Sequence, residues 1–99
     1  MFDYVDFQHK AGANSEKQLK LFALSTCGFC KKAMSFLEEN ETAYDFVYVD
    51  TVDPEVKSKI KEEFQQKFGK KMLFPSLVID DEDFLVGFIR DHWNKLVQA

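Results

Sequence analysis

Leu19-Lys20-Leu21-Phe22-Ala23-Leu24-Ser25-Thr26-Cys27-Gly28-Phe29-Cys30 is the stretch that decides the fold. Leu21 to Leu24 is an apolar run of the length and character of a buried strand, and it stops at Ser25-Thr26, residue types that favour a helix N-cap. A helix follows at once. Cys30, Ala33, Met34 and Leu37 fall at i, i+3, i+4 and i+7 and form one apolar stripe, while Lys31, Lys32, Ser35, Glu38 and Glu39 fall on the water side. A strand running into a helix with a Cys-x-x-Cys pair at the junction is therefore the organising unit.

C-terminal to this unit, Phe46-Val47-Tyr48-Val49 reads as a second strand, rich in β-branched and aromatic residues. Asp53-Pro54-Glu55 supplies a cap candidate, proline at the first helical position and an acid in the first turn. The stripe Val56, Ile60, Phe64 and Phe68 carries that helix to Gly69, with Lys67, Lys70 and Lys71 complementing the dipole at its end. Leu77-Val78-Ile79 and Phe84-Leu85-Val86, joined by the acidic turn Asp80 to Asp83, read as a hairpin. A last helix, Arg90 to Gln98, buries Trp93, Leu96 and Val97.

The order β-α-β-α-β-β-α makes the first two strands parallel by the crossover rule and the last two antiparallel. The expected result is an α/β fold with a central mixed four-stranded sheet flanked by helices. N-terminal to it, residues 1–18 end in the loop-like Ala11-Gly12-Ala13-Asn14-Ser15, and Phe2 to Phe7 alternate imperfectly. They are expected to form an arm or an added edge strand, and residues 19–99 the main domain.

With 99 residues, 45% hydrophobic and 11 of them Phe, the chain can fill one core. A formal net charge of -4 disfavours nucleic acid and anionic membrane as partners. No segment approaches the roughly 20 apolar residues of a membrane span, and the start has no signal-peptide core. A cytoplasmic location is expected, with the two cysteines resting as thiols.

A thiol attacks a disulfide as thiolate, so a redox cysteine needs a lowered pKa and an exposed sulfur. At the strand-to-helix junction, Cys27 meets unpaired N–H groups and the positive end of the helix dipole, and Lys31 and Lys32 are candidates for reinforcing that field. Cys30, one turn on and starting the apolar stripe, is expected to be buried with a higher pKa. Cys27 is thus the candidate nucleophile and Cys30 the resolving thiol. A structural zinc site would need four ligands, and the only imidazoles, His9 and His92, are far apart with no second paired motif. The acidic run Asp80 to Asp83 lacks calcium-loop spacing and reads as a solvated turn.

Lys20 to Cys30 resembles the first strand and Cys-Pro-Tyr-Cys active site of the glutaredoxin family, and Leu73-Phe74-Pro75 matches the place of its Thr-Val-Pro segment. The match runs from about Leu19 to Val97. The resemblance implies a thioredoxin-like fold, a cis bond before Pro75 that presents the Phe74 backbone to substrate, and substrate contacts at Thr26, Gly28, Phe29, Phe74, Pro75 and Gly87. It further implies a monomeric dithiol/disulfide oxidoreductase acting on disulfide-containing proteins or small molecules, with no tightly bound cofactor and no metal.

Two departures from the family pattern bear on the electron donor. The family's glutathione-binding cation before the active site falls here on Leu24 or Ser25, and its Gly-Gly pair is replaced by Val86-Gly87-Phe88-Ile89-Arg90-Asp91. That segment is more similar to the Ser-Gly-Phe-Arg stretch of the glutaredoxin-like redoxins that serve ribonucleotide reductase. The expected reductant is a flavoenzyme of the thioredoxin-reductase type, or a low-molecular-weight thiol. The alternatives left open are an iron–sulfur cluster carrier using Cys27 and a zinc-binding module.

Overall fold

Why the chain turns into a helix where it does is visible at Leu24 to Cys27. The computed structural model describes residues 1–97. Strand β2 (Leu19–Ala23) is buried along its whole length and leads through Leu24-Ser25-Thr26 into helix α1 (Gly28–Glu39). The Cys27 N–H donates to the Leu24 carbonyl at 3.2 Å, closing a tight turn. The cap itself is Cys27, not Ser25 or Thr26: its backbone is extended, and its Sγ accepts from the Cys30 N–H. The first helical bond, Lys31 N–H to Cys27 carbonyl at 3.2 Å, places the hydroxyl residues outside the helix.

Beyond α1 come β3 (Tyr44–Tyr48), α2 (Pro54–Phe68), β4 (Ser76–Ile79), β5 (Asp83–Val86) and α3 (Arg90–Val97). Before β2 lies β1 (Gln8–Lys10). The sheet has five strands in the order β1-β3-β2-β4-β5, not four. β2 and β3 are parallel, as a strand-helix-strand crossover requires, and the other pairings are antiparallel. The added edge strand is Gln8–Lys10, paired with β3, rather than the Phe2 to Phe7 run. Its three residues are all exposed, so pairing and not burial makes it a strand.

Phe2 to Phe7 instead folds over one face of the sheet. Phe2 is only 2% exposed and packs on Phe22, with ring centroids 4.8 Å apart. Val5 joins Ile60 and Phe64 of α2 in the same core layer. On the opposite face, Ala33, Phe36 and Leu37 of α1 and Trp93 of α3 cover Leu19, Leu21 and Leu77. The stripe of α1 thus includes Phe36, while Met34 is only half-buried. In α3, Trp93 is buried, but Leu96 and Val97 are half-buried; Gln98, expected to end this helix, lies outside the described residues.

Helix α2 starts at Pro54 after Asp53, whose side chain makes no capping bond, and ends at Gly69, which adopts the left-handed conformation (φ +69°) that glycine enters without a Cβ clash. The β4–β5 turn is less free than a solvated loop. Asp80 Oδ1 accepts from the Gln18 N–H at 2.7 Å, and Asp81 takes the buried Lys20 Nζ at 2.8 Å. No helix among the described residues is long and apolar enough to cross a membrane.

Candidate active site

At the C-terminal end of β2, three chain segments meet. The antiparallel register of β2 and β4 sets Phe22 opposite Ser76, so the Phe74–Pro75 segment lies beside the turn that carries Cys27. The Phe74–Pro75 peptide bond is cis. From the far side, Ser76 pairs with Val86, and the Gly87 N–H donates to the Pro75 carbonyl at 2.7 Å. Gly87 has φ +75°, a conformation that side chains disfavour, and its carbonyl accepts from Trp93 Nε1 at 3.1 Å. Trp93 therefore ties the segment carrying Gly87 to α3, and Gly87 ties it to Pro75.

The two cysteines differ in surroundings. Both are free thiols; Cys27 is half-buried, whereas Cys30 is fully buried. The Cys30 N–H reaches Cys27 Sγ at 3.2 Å, so the outer sulfur lies where unpaired backbone donors of the first turn point. Burial above all, and then its interaction with Cys27, pushes the Cys30 thiol up to about 12. Such a thiol keeps its proton at neutral pH. A partly buried cysteine at a helix end with a protonated, buried thiol one turn behind it can support attack followed by internal displacement.

Thr26, Gly28 and Phe29 flank Cys27 and are exposed, Phe29 by 62%. Lys31 and Lys32 are also exposed; the Lys32 ammonium stands 5.3 Å from the centroid of the Phe29 ring, and neither lysine hydrogen-bonds to Cys27 among the described residues. The site thus gathers Thr26 to Cys30, Phe74, Pro75 and Gly87 at one end of the sheet.

Asp50 is the residue that sequence reasoning missed. It follows β3, the parallel neighbour of β2, and so arrives at the same end of the sheet. Its Oδ1 accepts from the Ser25 N–H at 2.9 Å and its Oδ2 from the Ser25 hydroxyl. Those bonds lower the Asp50 carboxyl below the usual carboxylate range. No signal around Asp50 announces this, because the partner lies 25 residues away and is brought near only by strand pairing.

No three or more His, Cys, Asp or Glu side chains converge to hold a metal among the described residues. A closed four-ligand zinc site therefore has no ligand set there.

A mixed sheet between helical layers, with a Cys-x-x-Cys pair opening a helix beside a cis-proline segment, defines the class: a thioredoxin-like dithiol protein. The glutaredoxin family model matches residues 19–84, and the chain belongs to the glutaredoxin family. Among solved structures, a glutaredoxin from Methanosarcina mazei Go1 is similar with a TM-score of 0.80 and 26% identity, covering 96% of this chain and 90% of that one. Methanoredoxin from Methanosarcina acetivorans is similar with a TM-score of 0.76 and 25% identity, covering 89% and 90%. A glutaredoxin from Archaeoglobus fulgidus, at 20% identity and a TM-score of 0.72 over 85% and 89%, shares the fold. No curated protein sequence matches the chain.

Proposed function

We propose that this glutaredoxin-family chain is a thiol-disulfide oxidoreductase that reduces disulfides of proteins or small molecules through Cys27 and Cys30. The observation that carries the reading is the unequal pair: Cys27 half-buried at the cap of α1, and Cys30 fully buried, its thiol pushed well above the ordinary cysteine value by that burial. Cys27 thiolate attacks a substrate sulfur, forming a mixed disulfide and releasing the first substrate thiol. Cys30 then loses its proton to solvent and attacks Cys27 Sγ, so that the Cys27–Cys30 disulfide forms and the second substrate thiol leaves. Two electrons pass to the substrate, and an external donor must return them. Phe74 main chain beside Pro75, with Thr26, Gly28, Phe29 and Gly87, forms the platform on which the substrate chain lies. Thiols at rest and a reducing cycle suit a cytoplasmic location.

The donor in this reading is a flavoenzyme of the thioredoxin-reductase type or a small thiol other than glutathione. What supports it is Ser25: where the family sets a cation for the glutathione carboxylate, Ser25 holds the Asp50 carboxylate. A second anion there repels the first.

The test is disulfide reduction by the purified protein, with as-isolated absorbance and metal content measured on the same sample. Turnover by a colourless, metal-free protein, lost in Cys27→Ser, supports the reading. Turnover retained in Cys27→Ser, or a visible cluster chromophore in a protein without reductase activity, overturns it.

A further inference from the structure

Beside the Cys27–Cys30 turn, α1 and the start of α3 border a groove of about 520 Å³ whose lining combines aromatic rings with cations. Its floor is Phe36, buried in the core, with the Phe88 ring 5.7 Å from it. Phe29, in the first turn of α1 between the two cysteines, lines the same groove. Lys31, Lys32 and Arg90 line the same groove, and Glu39 is its one lining carboxylate. Among the described residues, none of these three cations has a carboxylate partner within 4 Å, whereas Lys10 and Lys20 do. Two of them are held in place by rings instead: Lys32 Nζ lies 5.3 Å from the Phe29 centroid and Arg90 Cζ 5.5 Å from that of Phe36. Such contacts orient a cation without neutralising it.

This local excess of positive charge stands on a chain whose formal net charge is -4. We infer that the groove is the docking surface for an acidic polypeptide segment flanking the disulfide to be reduced, so that the preferred substrates are proteins with Asp or Glu close to the target cysteine. The inference rests on the reductase reading and names its substrate class. Geometry fixes the spacing. Lys31 and Lys32 lie four and five residues beyond Cys27, about 6 to 8 Å along α1 at ~1.5 Å per residue. An extended substrate chain covers that in two or three residues at ~3.3 Å each, and Arg90 across the groove extends the reach by a residue or two. Acidic residues two to four positions from the substrate cysteine are the ones the groove reads. The aromatic floor accepts apolar side chains between them.

The experiment uses three synthetic peptides of equal length, each with one cysteine joined by a disulfide to 2-thiopyridine, and with Glu, Gln or Lys at the second to fourth positions after the cysteine. The fully reduced protein supplies both electrons, its two thiols becoming the Cys27–Cys30 disulfide while peptide thiol and pyridine-2-thione are released. The acidic peptide is expected to react about tenfold faster than the basic one at low salt, as two or three exposed charge pairs of a few-fold each allow. At 1 M salt, where the Debye length is about 3 Å, the ratio should fall to below about twofold. Lys32→Glu with Arg90→Glu should invert the preference while the Gln peptide reports any general change in thiol reactivity. Equal rates for the three peptides, or a preference for the Lys peptide, overturn the inference even though the protein remains a reductase. In parallel, the Cys27→Ser/Cys30→Ser protein is titrated with a cysteine-free Glu peptide and followed by amide NMR. Shifts centred on Phe29, Lys32, Phe88 and Arg90 support the groove, and shifts elsewhere or none overturn it. Failure to reduce any peptide removes the reductase reading, and the titration still decides the groove.

Discussion

Raising the pH in the presence of iodoacetamide separates the two sulfurs by chemistry alone. Cys30 is 0% exposed, and burial followed by its interaction with Cys27 raises its thiol to about 12. At pH 8 such a thiol is ionised to about one part in 10,000, against about a quarter for an ordinary cysteine of pKa ~8.5. Because only the thiolate reacts, Cys30 should alkylate about two-thousandfold more slowly than a free cysteine on ionisation grounds, and more slowly still because the reagent must reach a buried atom. The assay is a labelling time course on the native reduced protein at pH 7, 8, 9 and 10, with each site quantified by peptide mass spectrometry. Cys27 should label to completion first, and the Cys30 rate should keep rising about tenfold per pH unit through pH 10 with no plateau. A Cys30 rate within tenfold of Cys27 at pH 8, or a plateau near pH 9, would refute the division of labour between them.

The same group sets a pH dependence of stability. Folded Cys30 keeps its proton to about pH 12, whereas the unfolded chain gives it up near ~8.5, so above that pH the unfolded state binds fewer protons and the fold weakens. Denaturant titrations should show the reduced protein losing up to ~1.4 kcal/mol per pH unit above pH ~9 relative to Cys30→Ala, and an equal slope in both would contradict this. Phe2→Ala should cost about 3 to 5 kcal/mol in urea unfolding, since Phe2 is 2% exposed against Phe22; a loss below about 1 kcal/mol would make the N-terminal segment an appendage. Ser25→Lys combined with Asp50→Asn restores a cation and removes the anion it would face, and should raise kcat/KM for glutathione about tenfold through one charge-assisted bond. An unchanged glutathione rate would show that the donor is selected elsewhere.

What could be read from the chain beforehand was whatever is written in local periodicity. The apolar run ending at Leu24, the spacing of Cys30, Ala33 and Leu37, and the Val56 to Phe68 stripe closed by Gly69 are local signals, and each became the element it indicated. Strand β1 left no such signal. Gln8, His9 and Lys10 are polar and exposed on both faces, so the strand exists only because β3 offers hydrogen bonds, with His9 Nδ1 set 2.6 Å from Asp45 Oδ1 across the pair. Phe36 was missed in the α1 stripe because Phe88 and the α3 layer, which lie some fifty residues on, define which side of the helix is covered. Ser25 and Thr26 are better cap formers than cysteine by composition, yet the turn closed by Leu24 and Cys27 places the sulfur at the cap. The Ser25–Asp50 bond was out of reach for the same reason as β1: strand pairing brings its partners together.

The most direct test of the two-sulfur cycle is to remove the resolving step. Cys30→Ser incubated with a disulfide-containing protein such as oxidised insulin should accumulate a mixed disulfide through Cys27, visible as an intact adduct mass that dithiothreitol releases, while Cys27→Ser under the same conditions should form none. An adduct that forms on Cys27→Ser and not on Cys30→Ser would reverse the roles of the two cysteines, and none on either would contradict the cycle itself.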